Sequence, residues 1–69
     1  MGKLTVVVNG EKREIDSGAT VRDLLEAMHI GPGVIAVEVN SKVVRRAQHA
    51  EHRLSAEDKI EIVTLVGGG

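Results

Sequence analysis

Leu4-Thr5-Val6-Val7-Val8-Asn9-Gly10-Glu11-Lys12-Arg13-Glu14-Ile15-Asp16 is an apolar β-branched run, a two-residue break and a polar run of similar length. Asn-Gly tolerates positive φ at both central positions, which a type I′ turn requires, so the stretch predicts a hairpin. Two-residue closure pairs Val8 with Glu11, Val6 with Arg13 and Leu4 with Ile15. Leu4, Val6, Val8 and Ile15 then share one face, and Thr5 and Val7 point the other way.

After the hairpin, Ser17-Gly18-Ala19 breaks the strand, and Thr20 with Asp23 has the form of a helix N-terminus. From Val21 to His29 the apolar residues Val21, Leu24, Leu25 and Met28 fall at i, i+3, i+4 and i+7, opposite Arg22, Asp23 and Glu26. Gly31-Pro32-Gly33 is expected to end this helix and supply its left-handed cap, with His29 set against the negative end of the helix dipole. Val34 to Val39 reads as a strand with neighbours on both sides, Asn40-Ser41-Lys42 as a turn and Val43-Val44 as a short strand. Residues 45–53 are polar and irregular, Leu54 is placed under the core, and Ser55 to Asp58 form a turn. Lys59 to Val66 is the last strand, with Ile60 and Ile62 inward. One helix on one face of a mixed four- or five-stranded sheet buries this pattern economically, an α+β arrangement of the β-grasp (ubiquitin-like) type. Residues 1–66 make that single domain, and 67–69 a flexible glycine tail.

Composition narrows the function. At 69 residues the chain has material for one core, and 29 of them are Ala, Val, Ile, Leu or Met, which sets disorder aside as the main state. Without any Phe, Tyr or Trp there is no platform for stacking bases, and a net charge of −1 lacks the basic excess that phosphates attract, so no nucleic-acid partner is expected. Zero cysteines exclude disulfides, thiolate metal centres and a thiol nucleophile, and fit a reducing cytoplasm. Apolar runs are far below the ~20 residues of a membrane span. Met1-Gly2-Lys3 leads into a strand with no apolar signal region or myristoylation pattern, so neither export nor lipid anchoring is expected.

The feature that points to chemistry is Gly67-Gly68-Gly69, directly after the last strand. Glycine loses the most conformational entropy on ordering and has no side chain to bury, so stability does not call for this tail. Extended, it reaches roughly 10 Å past the sheet, thin enough for a channel that excludes other residues, and delivers its own carboxylate. A carboxylate becomes a good electrophile once AMP is attached, because a sulfur or amine nucleophile can then displace AMP. Alternation sends Glu61, Val63 and Leu65 to the face without the helix, beside Val7, which makes Val7, Val63 and Leu65 a candidate docking patch. Arg45 and Arg46 are read as facing an acidic partner surface or ATP phosphates, or as a solvated charge pair. His49 and His52 flank Glu51 at a spacing that a metal could use, but no third ligand is evident and a solvated loop is the preferred reading. No Ser-His-Asp set, paired-carboxylate signature or phosphate loop is present, so the chain is not expected to be an enzyme.

The whole chain from Leu4 to Gly69 resembles the ThiS family, ubiquitin-like sulfur carriers of thiamine biosynthesis. The resemblance is carried by Val8-Asn9-Gly10-Glu11, Gly18-Ala19-Thr20-Val21 through Leu24-Leu25, Val37-Glu38-Val39-Asn40, and Glu61 through Gly69. It departs from the family at Val44-Arg45-Arg46, where a proline often precedes the arginine, and at Leu65, where an aromatic is common. The resemblance implies that Gly69 is adenylated with ATP by an adenylyltransferase of the ubiquitin-activating type and converted to a thiocarboxylate with sulfur from a donor enzyme. Thiazole synthase then uses it to build the thiazole ring. The carrier itself would bind no cofactor and be a monomer when free. Two rivals share the same terminus, the small subunit of molybdopterin synthase and a protein-modifying ubiquitin-like protein; a passive β-grasp binding module is a third reading.

Overall fold

The computed structural model describes residues 2–30 and 33–64. Its order is β1 (Lys3–Val8), β2 (Glu11–Asp16), α1 (Val21–Ala27), β3 (Val34–Val39), β4 (Lys42–Val43), a 3₁₀ turn at Arg46–Gln48, and β5 (Lys59–Thr64). The five strands form one sheet in the order β2-β1-β5-β3-β4. The last strand in sequence therefore lies in the middle, parallel to β1 and antiparallel to β3.

The hairpin register is the expected one, with Val8 opposite Glu11, Val6 opposite Arg13 and Leu4 opposite Ile15. Asn9 and Gly10 both adopt positive φ, as the tight turn demands. At the helix start the Thr20 side chain accepts from Asp23 N–H, while the Asp23 carboxylate accepts from Thr20 N–H, closing a capping box. Val21, Leu24 and Leu25 are buried, with Met28 and Ile30 packed against the core.

The core is one layer between α1 and the sheet. Val8, Ile60 and Val39 stand side by side across β1, β5 and β3, and Ile62 faces Val37 one step along. Ile15, Val44 and Leu54 close its margins. Leu54 is buried as expected, held by its N–H donating to Ala19 O at 2.9 Å.

Two boundaries differ from expectation. The short strand is Lys42–Val43, and Val44 N–H donates to Val37 O at 2.8 Å while its side chain turns into the core. The helix stops at Ala27 and its left-handed residue is His29, with φ 58°, not a glycine. His29 N–H donates to Glu26 O and Ile30 N–H to Leu25 O, both at 3.0 Å, the paired bonds of a Schellman cap; Ile30 joins Leu25 in the core. Helix termination is thus complete before Gly31 and Pro32, which lie outside the described residues. Residues 45–53 contain the 3₁₀ turn and rejoin the helix start, where Val21 N–H donates to His52 O and Arg22 N–H to His49 O.

Candidate functional site

The helix covers one face of the sheet and leaves the other open. On that open face β5 presents Lys59, Glu61 and Val63, β1 presents Val7, β3 presents Ala36 and Glu38, and β4, beyond β3, presents Val43. Val63 is 52% exposed and Val43 65%, the two large hydrophobics most open to solvent among the described residues. Val7 is half-buried. Val63 and Val7 therefore face as the alternation predicts; Leu65, the third member of the expected patch, lies outside the described residues, as do Gly67, Gly68 and Gly69.

Two features of this face were not anticipated. Val43 belongs to it, because the Glu38–Val43 pairing turns that side chain outward. Glu38 and Glu61 stand directly opposite each other on β3 and β5, and like charges in that position oppose pairing. Reading them from sequence would have needed the β3–β5 register, which no local pattern encodes.

Arg45 and Arg46 follow β4 and are exposed. With Ala36, Val37, Val43 and Val44 they line a groove at the β4 edge of the sheet that also reaches His49. His49 is not in a solvated loop. It is only 9% exposed, and its Nε2 donates to Val44 O at 3.1 Å, satisfying a carbonyl beside the core. A structural role replaces both earlier readings of this residue. His52 is half-buried, and among the described residues no group of three or more His, Cys, Asp or Glu could hold a metal ion. No helix among them is long and apolar enough to cross a membrane.

The Asn9-Gly10 turn and the Asn40-Ser41 turn, each with positive φ at both residues, lean on β5. At its start, Asn40 N–H donates to Lys59 O at 2.7 Å, and the Asn40 side chain accepts from Lys59 N–H at 3.0 Å and donates to Asp58 Oδ1 at 2.9 Å. Farther along, Asn9 N–H donates to Ile60 O at 2.8 Å, and the Asn9 carboxamide accepts from Ile62 N–H at 2.8 Å and donates to Ile62 O at 3.3 Å. The strand that leads toward the glycines is thus held by two turn asparagines as well as by its neighbours.

Comparison with known proteins gives a consistent result over nearly the whole length. The solved structure of the thiamine biosynthesis protein ThiS from Geobacter metallireducens superposes with a TM-score of 0.78 at 27% identity, covering 96% of this chain and all of that one. The sulfur carrier protein ThiS of Bacillus subtilis is 36% identical over 64 residues, 90% of this chain and 96% of that protein. A thiazole synthase of Paramagnetospirillum magneticum is 35% identical over 66 residues, 96% of this chain but 20% of that protein; the chain thus spans a fifth of its length. The ThiS family model matches residues 6–69, from within β1 through the helix and the whole of β5 to the glycine tail. The chain belongs to the ThiS family.

Proposed function

We propose that this chain is the sulfur carrier for thiazole formation in thiamine biosynthesis, with the Gly69 carboxylate as its working group. The observation that carries this is the family match running unbroken into Gly67-Gly68-Gly69, on a sheet whose central strand leads to them. The carboxylate attacks the α-phosphorus of ATP on an activating enzyme, releasing pyrophosphate, and hydrosulfide then displaces AMP to leave the thiocarboxylate. The chain is consumed and regenerated as a cosubstrate; ATP binds the activating enzyme.

Thiazole synthase is the proposed acceptor. Support comes from relatives of that name that hold, in one polypeptide, a segment similar to 96% of this chain. The open face with Val7 and Val63 is the proposed docking surface for the activating enzyme, with Arg45 and Arg46 beside its β4 edge and with Leu65 included on the strength of strand alternation alone. Intact mass after incubation with ATP, the activating enzyme and a sulfur donor tests the reading: the chain should exchange one oxygen for sulfur at Gly69. An unchanged mass with a competent activating enzyme would leave a passive binding module as the better account.

A further inference from the structure

We propose that Asn9 is a positioning residue for the reactive tail, its carboxamide standing in for a missing stretch of β1 and fixing where β5 leaves the sheet. This rests on the carrier reading above. In the parallel ladder between β1 and β5, Val7 N–H donates to Asp58 O at 2.9 Å and Asn9 N–H to Ile60 O at 2.8 Å. The next two bonds along β5 belong to Ile62, and a continuing β1 would supply a carbonyl for its N–H and an amide for its C=O. β1 cannot continue, because at Asn9 (φ 49°) the backbone enters the hairpin turn. The Asn9 side chain supplies both groups instead, accepting from Ile62 N–H at 2.8 Å and donating to Ile62 O at 3.3 Å. A side-chain amide has the donor and acceptor of a peptide unit, so it prolongs the ladder by one step.

The location matters for the tail. On the other flank of β5 the register with β3 shifts between Val34 and Ala36, opposite Thr64 and Val63. Support from β3 therefore becomes irregular just where β1 has ended, and the Asn9 amide is the last β1-side bond to β5 among the described residues. Without it the strand can fray back to Ile62, which releases Val63 from the docking face and lengthens the chain between the last held residue of β5 and Gly69. A longer tether lowers the effective concentration of its end at a site where the body is docked. Binding should suffer and chemistry at saturation should not.

Asn9→Gly removes the carboxamide and keeps positive φ accessible, so the hairpin persists. The expected results are amide exchange roughly tenfold faster at Ile62, the scale of one net hydrogen bond, with Val6 and Leu24 unchanged, and a several-fold rise in KM for ATP-dependent adenylation at constant kcat. Asn40→Gly, which cuts the two side-chain bonds at the opposite end of β5, should leave Ile62 exchange and KM alone. Asn9→Asp adds a signature that a general structural role would not produce. Its carboxylate still accepts from Ile62 N–H but sets a second oxygen against Ile62 O, and protonation turns that oxygen into a donor. Protection of Ile62, corrected for intrinsic exchange, should therefore recover as pH falls through the ordinary carboxyl range.

Unchanged Ile62 exchange in Asn9→Gly, equal acceleration of all core amides, or a freed Ile62 with unchanged KM would each overturn the proposal. If the unaltered chain is not adenylated at all, the carrier reading fails by its own mass test, and Ile62 exchange still decides whether the clamp exists.

Discussion

His29 carries a cost that its neighbours make worthwhile. A non-glycine residue at φ 58° is strained, yet its N–H and that of Ile30 satisfy two carbonyls at the helix end and bring Ile30 into the core. Glycine adopts this conformation freely, so His29→Gly should raise stability by roughly 1 kcal/mol, read from the denaturant midpoint at constant m-value. A fall in stability would mean that the imidazole makes contacts worth more than the strain. Ser41, at φ 70° in the second hairpin turn, presents the same opportunity on a smaller side chain.

At the scale of elements, the ends of β1 and β2 are tied by Lys3 Nζ to Asp16 Oδ1 at 2.6 Å, across the Lys3–Asp16 register pair. The hydrogen bond and charge of Lys3 hold the Asp16 carboxyl below its usual 3.8, and those of Asp16 raise the Lys3 ammonium above its usual 10.5. A lowered carboxyl contributes stability above its unfolded value and loses it as pH falls through the folded one; a raised ammonium contributes below its unfolded value and loses it as pH rises through the folded one. Both side chains are largely exposed. Asp16→Asn should therefore flatten the acid limb of the stability–pH curve slightly, with a difference from the parent that shrinks as salt is added. Between β3 and β5, Glu38→Gln removes one of two facing charges and should stabilise the sheet by roughly 0.2–1 kcal/mol, measured by thermal unfolding at low salt.

These elements also show what the sequence discloses. The first hairpin and the helix start were legible because Asn9-Gly10 and Thr20-Val21-Arg22-Asp23 act within a few residues of themselves. Alternation likewise foretold Ile60 and Ile62 inward and Val63 outward. The Schellman cap was missed because glycine and proline two residues on drew the eye from His29, whose fitness depends on Ile30 finding the core. His49 looked like a loop residue because its burial is made by Val44 and the helix start, which only tertiary structure brings near. The Glu38–Glu61 opposition and the Asn9–Ile62 bonds depend on registers between strands far apart in sequence.

For the whole molecule, the proposed function separates stability from activity. Val63→Asp should weaken binding to the activating enzyme while amide protection of Val6, Ile60 and Leu24 stays at parental level, because the side chain is half-exposed on the face opposite the core. A domain that unfolds on this substitution would show that Val63 supports the fold. Replacing Gly68 with Val, or joining any chain to Gly69, should leave the melting temperature within about 1 °C and abolish ATP-dependent adenylation, because the first widens the tail and the second turns its acid into an amide. A C-terminally extended form that still supplies sulfur at the normal rate would remove the carrier reading.

The parallel placement of β1 and β5 side by side in the middle of the sheet has a mechanical meaning. Because the two strands run the same way, a pull applied between the beginning of β1 and the far end of β5 slides one along the other. The bonds at Asp58, Ile60 and Ile62 then bear load together, in shear, instead of opening one at a time as a zipper does. An enzyme that held the start of β1 and drew on the chain beyond β5 would pull along that line. The body can therefore be towed by its tail without being unravelled from it.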